Sequence, residues 1–261
     1  MARYRGVRVR QGLSRSGLSD LDYALNPYIG CEHGCLYCYA RSYTRYRIVA
    51  ENWGEIVYFK ENVCSLVERE ARRLRPGIVG VSTITDPYQP LEERKALTRK
   101  CIQILLAHDF KVSIQTKSPL VLRDLDLLSR DRSKIDVGFT IITVDDEKAS
   151  IVEPGAPPPS SRVEALRLLS DHGLKTWVFL GPVIPGFNDD EDSIRRVVDV
   201  AADTGSVLYY DFLRVKPGLQ ALEKVLPDAL HRSRSIAWRR LVEKTIIKEC
   251  EKRGVECESE Y

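Results

Sequence analysis

Long apolar runs are missing from this 261-residue chain. The longest, such as Trp177 to Leu180 and Gly138 to Ile142, are a few residues each. A membrane-spanning helix needs roughly 20, so the sequence predicts no span and no membrane partner. The first residues, MARYRGVRVRQG, carry charge but no apolar stretch. They do not read as a secretory signal, and a cytoplasmic location is expected. Histidine is scarce, with four residues, none paired at helical ligand spacing. There is no H-E-x-x-H, no G-x-S-x-G, no G-x-x-x-x-G-K-[ST] and no G-x-G-x-x-G. Those gaps exclude the common zinc-protease, serine-hydrolase and nucleotide-loop signatures. Repeats and low-complexity tracts are absent too. The one proline-rich patch, EPGAPPPS at 153–160, is too short to link domains.

What remains is a globular composition. Apolar residues make up 43% and charged residues 30%, a balance that disordered chains do not reach. The length suits one large domain or at most two small ones. A formal charge of +3 identifies no partner, but its distribution is uneven. Arg3, Arg5, Arg8, Arg10 and Arg15 precede the first acid, Asp20. Such a segment can sit on phosphates or be a solvated tail. We therefore divide the chain into a basic N-terminal arm (1–20), a core (21–217) and a C-terminal helical extension packed on that core (218–261).

Beyond residue 60, helical and strand patterns alternate. Helices are expected at Glu61–Leu74, Leu91–His108, Leu120–Ser129, Ser161–His172, Asp190–Ala202 and Ser235–Cys250. Ser161 and Glu164 form a capping-box pattern. Strands are expected at Ile78–Ser82, Lys111–Thr116, Val137–Val144, Lys175–Leu180 and Val207–Phe212. This alternation implies a parallel sheet wrapped by helices, with about six βα units. An open barrel or a doubly wound sheet satisfies it. In both, ligands lie at the carboxyl ends of the strands.

The seven cysteines are expected to be reduced in the cytosol, so metal chemistry ranks ahead of disulfides. Cys31, Cys35 and Cys38 fall within eight residues, with Gly30 and Gly34 beside them. Three thiolates on one short loop suit a soft metal. A [4Fe–4S] cluster ordinarily takes four cysteines, so three leave one iron open for chemistry. A structural zinc site using His33 or a distant fourth ligand is the plain alternative, although His33 lies awkwardly between the ligands. Cys101 falls on an apolar helix face, and Trp238, Val242, Ile246 and Cys250 form a four-residue stripe. The sequence leaves Cys64 and Cys257 undecided.

The C-x-x-x-C-x-x-C spacing, with Tyr37 before the last cysteine, resembles the radical S-adenosylmethionine (SAM) enzymes. Further stretches resemble the spore photoproduct lyase-like branch. They are Cys38-Tyr39, Ser82-Thr-Ile-Thr-Asp-Pro-Tyr-Gln-Pro90, Thr116-Lys117-Ser118, Glu153-Pro-Gly155 with Arg162, and Pro182-Val-Ile-Pro-Gly-Phe-Asn-Asp189. The resemblance runs from about Asn26 to Pro217. It implies an open partial (β/α)6 TIM-like barrel of the radical SAM type. It implies a [4Fe–4S] cluster on Cys31, Cys35 and Cys38, whose open iron chelates SAM. One electron then yields methionine and a 5′-deoxyadenosyl radical. By the same resemblance, the Tyr37 backbone and Ile184 lie near the adenine. Thr85, with Asp86 beside it, lies near the SAM amino group. Lys117 and Arg162 lie near the carboxylate, and Thr140 near the ribose. Tyr37 and Tyr39 match tyrosines of a radical relay. Thr83 stands where the lyase has its hydrogen-donating cysteine, and a threonine O–H bond is too strong for that role.

Three functions follow. The first is a radical SAM enzyme acting on DNA or RNA, as a lesion lyase or a base modifier, served by an external low-potential electron donor. Arg41, Arg45 and Arg47, and the basic stretch His231 to Arg240, favour it. The second is a radical SAM enzyme acting on a peptide or small molecule. The third is a non-enzymatic zinc or iron–sulfur module.

Overall fold

A computed structural model describes residues 2–260. Its centre is an eight-stranded sheet. In spatial order the strands are β11 (Cys257–Ser259), β10 (Val207–Phe212), β9 (Lys175–Val183), β8 (Ile135–Thr140), β7 (Lys111–Thr116), β6 (Ile78–Val81), β3 (Tyr23–Leu25) and β2 (Leu13–Arg15). All neighbouring pairs are parallel except β2 with β3. Strands β3 and β6 to β11 are thus seven parallel strands, of which β3 and β6 to β10 form the open partial barrel and β11 adds an edge. Parallel neighbours need crossover connections, and helices supply most of them. These include α4 (Leu97–Ala107), α7 (Pro159–Asp171) and α8 (Glu191–Thr204). Strand residues such as Val112, Ile114, Val137, Phe139, Val178 and Leu180 are buried between the layers.

Several elements match the sequence expectation and others correct it. β7 and β10 have the expected bounds. The helix expected at Leu91–His108 is two helices, α3 (Pro90–Lys95) and α4. They break at Ala96, whose φ of 49° is left-handed. The buried Glu92 carboxylate accepts hydrogen bonds from the Thr98 and Arg99 amides, so it caps the new helix. Residues 119–124 form a 3₁₀ turn before the short α5 (Leu125–Leu128). The Ser161 capping box is absent. α7 begins two residues earlier, at Pro159, and the Ser161 hydroxyl donates to the Pro158 carbonyl. Asp190 caps α8 through the Ser193 amide.

The segment read as a basic arm holds two strands. β1 (Arg3–Val7) pairs in parallel with β5 (Ile56–Lys60), and β5 pairs antiparallel with β4 (Tyr28–Ile29). Arg3 and Arg5 are exposed while Tyr4 between them is partly buried, which is ordinary strand alternation. At the other end, α9 (Gln220–Val225), α10 (Ala229–Arg232) and α11 (Ile236–Arg253) lead to the edge strand β11. Ser235 caps α11, which turns at Gly254 with φ 65°. That reversal joins Cys250 to Cys257 as a disulfide, correcting the expectation that all seven cysteines are reduced. Cys64, on α2 (Val63–Ala71), faces Cys101 on α4 at 3.7 Å between sulfurs. Among the described residues no helix is long and apolar enough to cross a membrane.

Candidate active site

The cysteine loop leaves β4, next to the carboxyl end of β3, and crosses toward the ends of β6 to β9. Gly30 and Gly34 have φ of 88° and 61°, which a residue with a Cβ adopts only with strain. A Cβ on Gly30 would come within 2.6 Å of the Ile56 carbonyl oxygen. One on Gly155 would come within 2.5 Å of the Glu32 carbonyl oxygen. The loop is therefore clasped between β5 and the segment after α6 (Asp146–Val152). Two backbone bonds fix its register: Leu36 N–H to the Val152 carbonyl at 2.8 Å, and Gly155 N–H to the His33 carbonyl at 3.0 Å.

Cys31 and Cys35 are buried, and Cys38 is partly exposed. Burial pushes the Cys31 thiol well above its ordinary value, and nearby Asp86, Cys35 and Cys38 add to the push. Burial carries Cys35 up to about 12, against the pull of Lys117. Among the described residues no three His, Cys, Asp or Glu side chains are gathered into a metal-binding group. The fit to an iron–sulfur cluster rests on the donor set: three cysteines on one glycine-shaped loop, with the cations Lys117, Arg41 and Arg162 acting on their charge. Soft thiolate donors are what such clusters take.

Behind the loop lies a buried ionic cluster around Glu153. The Tyr37 hydroxyl donates to Glu153 Oε1, and Arg162 donates to Oε2 at 2.5 Å. The other Arg162 donors reach the Thr140 carbonyl at 3.1 Å and the Pro157 carbonyl at 2.8 Å. Lys117 Nζ stands 4.0 Å from Glu153 and 5.6 Å from the centre of the Tyr37 ring, and makes no hydrogen bond. Burial raises the Glu153 carboxyl, but Arg162 and Lys117 outweigh it and the net shift is downward. Burial lowers Lys117, yet Cys35 and Glu153 raise it further, so it stays a cation.

A second cluster surrounds Asp86. It accepts from the Thr116 hydroxyl, the Lys117 amide and the Tyr88 amide at 2.8, 2.8 and 2.9 Å. His33 Nδ1 lies 3.4 Å away, and neither ring nitrogen has a hydrogen-bond partner. Burial alone would raise Asp86, but His33 and these donors bring its pKa to about 2. Thr85 donates to the Gly30 carbonyl at 2.6 Å, holding the cysteine loop from below. The Thr140 hydroxyl accepts from Gln115 at 3.2 Å. Ile184 is fully buried, its amide bonded to Asn188.

The structure thus joins Tyr37, Lys117, Arg162 and Thr140 around Glu153, and Thr85 and Asp86 beneath the thiol loop. It separates the two tyrosines. The Tyr39 hydroxyl reaches the Thr83 carbonyl at 2.7 Å, while Tyr37 serves Glu153. Sequence reasoning did not pick out Glu153 itself, nor Gln89, which bonds Thr85 and the Glu32 amide. The signal for Glu153 was present, since it opens the Glu-Pro-Gly stretch.

The family model described as the radical SAM superfamily matches residues 25–198. An uncharacterized protein of Methanocaldococcus jannaschii is 29% identical over 244 residues, covering 92% of this chain and 90% of that protein. The radical SAM Nalpha-GlyT isomerase of Pseudomonas phage M6 is 26% identical over 209 residues, covering 77% of this chain and 40% of the isomerase. The structure of spore photoproduct lyase complexed with dinucleoside spore photoproduct superposes with a TM-score of 0.75 at 16% identity. It covers 99% of this chain and 82% of the lyase.

Proposed function

The chain belongs to the radical SAM superfamily and is a radical SAM enzyme, and on that premise we propose that its thiol loop carries out SAM chemistry on a nucleic acid. The superfamily implies a [4Fe–4S] cluster and SAM. Cys31, Cys35 and Cys38 would hold the cluster. When bound, the two together supply one-electron cleavage of SAM to methionine and a 5′-deoxyadenosyl radical. The observation that carries the assignment is the buried Glu153–Arg162–Lys117 cluster directly behind this loop. Lys117 has unspent donors there, suited to a carboxylate. Arg162, held by three oxygens, positions Glu153. The Gly30 carbonyl, fixed by Thr85 and Gln89, keeps the loop from shifting. Tyr37 and Ile184 are the candidate walls for an adenine, Thr140 the candidate ribose contact, and Thr85, with Asp86 beside it, the candidate contact to the SAM amino group.

Thr83 has no S–H to give. Tyr39, whose hydroxyl donates to the Thr83 carbonyl, is the phenol held against that residue, and we assign it a place in the radical relay. The nucleic-acid substrate is supported by the arginines that follow Cys38 and by the dinucleoside bound in the lyase whose fold this chain shares. We retain 21–217 as the catalytic barrel and 218–261 as an extension on it. Residues 3–7 and 13–15 complete the sheets. An external low-potential donor supplies the electron.

The test is anaerobic. The protein is reconstituted with iron and sulfide, reduced and given SAM, with and without a spore-photoproduct dinucleotide. 5′-Deoxyadenosine is quantified beside a Cys35→Ala control. Production lost in the variant is the expected result. Repair of the dinucleotide identifies lyase chemistry, and cleavage without repair moves the search to other nucleic-acid substrates. Bound zinc with no SAM cleavage overturns the assignment.

A further inference from the structure

Between Glu32 and Glu51 the chain has no acidic residue. Within that interval Tyr39, Tyr43 and Tyr46 are 49%, 55% and 37% exposed, and Ile48 is 51% exposed. Arg45 and Arg47, interleaved with them, are also exposed. Single exposed aromatics are ordinary. Three at intervals of three or four residues, alternating with arginine, form a pattern. It begins one residue after the last thiol of the loop.

The tyrosines are presented on a braced rim. Ser42 donates to the Pro217 carbonyl at 2.7 Å and Arg41 to the Gly218 carbonyl at 2.7 Å. That contact brings Lys216 to 5.7 Å from the centre of the Tyr43 ring, which stands edge-on to Tyr39 at 5.8 Å. On the other side Tyr46 stands edge-on to Tyr58 at 5.2 Å, and Arg5 covers Tyr58 at 5.8 Å. A cation therefore stands at each end of the rim, Lys216 beside Tyr43 and Arg5 over the buried Tyr58 that backs Tyr46. The one ion pair on the loop, Arg47 with Glu51, is largely solvent-exposed, and such pairs yield readily to a competing phosphate.

We propose that this rim, Tyr39 to Ile48 with Lys216 and Arg5, is a track for single-stranded nucleic acid that delivers an unpaired base to the thiol loop. The inference rests on the nucleic-acid reading above and specifies its form. Exposed rings stack on base faces, and cations follow the phosphates. In a duplex the base faces are already stacked on each other, so a duplex leaves the rings without partners. Lipid headgroups would use the cations but not a row of edge-on rings.

The test is fluorescence anisotropy with the full-length, anaerobically purified protein. The probes are a labelled oligothymidylate, a labelled oligouridylate and a duplex of equal length, each titrated at several salt concentrations. Vesicles of phosphatidylcholine and phosphatidylserine form a parallel arm. Tighter binding of the single strands than of the duplex is expected. Tyr43→Ala should weaken it about tenfold or more, while Tyr43→Phe retains it. The Arg45→Ala/Arg47→Ala pair should flatten the slope of log K against log salt by about 1.4. Melting curves confirm that the variants fold. Equal binding of duplex and single strand, or unchanged binding by Tyr43→Ala and the arginine pair, overturns the track and leaves the nucleic-acid reading standing. No binding of any oligonucleotide, or binding of the vesicles alone, overturns both.

Discussion

Two buried glutamates sit in similar company and end differently. Glu92 accepts from the Tyr28 hydroxyl, the Thr98 and Arg99 amides and Arg123. Its neighbour Asp124 takes Arg99, Arg123 and the Tyr88 hydroxyl. Glu153 likewise has a tyrosine and an arginine. Beside it, however, the Lys117 ammonium makes no hydrogen bond among the described residues, and in the adjoining Asp86 cluster His33 has neither ring nitrogen satisfied. Buried polar groups normally find partners. Where they all do, as around Glu92, the network is scaffold. Where cationic and imidazole groups are left over next to three thiols, the network is built for something that enters.

Four changes test this contrast, in falling order of effect. Glu92→Ala leaves the buried Tyr28 hydroxyl and the Thr98 and Arg99 amides without their acceptor, and Arg123 with Asp124 as its remaining carboxylate. Urea unfolding should show a loss of about 3–5 kcal/mol, and SAM should not restore it. Arg162→Met leaves Glu153 buried without its guanidinium. Unfolding should show a loss of about 3 kcal/mol, accompanied by at least a tenfold fall in 5′-deoxyadenosine formation. Arg162→Lys should recover part of the stability but not the rate, because one ammonium does not span Pro157, Thr140 and Glu153. A full rate in either variant breaks the distinction between the clusters.

The third change is pH. The folded pKa of Asp86, about 2, lies below its ordinary carboxylate value. Its contribution is therefore complete above about pH 4 and is lost as pH falls toward 2. That loss should be about 2 kcal/mol, and Asp86→Asn should flatten the stability profile in this window. The smallest effect is at the edge of the scaffold. Asp126 pairs with Arg99 at 2.7 Å on the surface, and Asp126→Asn should cost no more than about 1 kcal/mol.

The order of strands and helices was legible because apolar periodicity reports burial, and burial decides these elements. Lys111–Thr116 reads as a strand from sequence and is one. Residues 3–7 were less legible, since arginines alternating with a tyrosine and a glycine look like a charged tail until β5 is there to pair with them. The thiol loop was visible because its spacing is local. Glu153 was not, because its meaning depends on Tyr37, Lys117 and Arg162, which arrive from three other parts of the chain. The Cys250–Cys257 pairing was hidden for a similar reason: only the reversal at Gly254 brings a helix end beside an edge strand.

The clasp of the thiol loop also has a consequence for biosynthesis. Cys31, Cys35 and Cys38 emerge from the ribosome long before Gly155 and Arg162, which close over and behind them. At about 5–20 residues per second, three neighbouring thiols stand open for on the order of ten seconds in every nascent chain. A chain stalled in that interval is a reactive species and not an inert fragment. The cell that makes this protein must therefore keep those thiols reduced during translation, before there is any enzyme to protect.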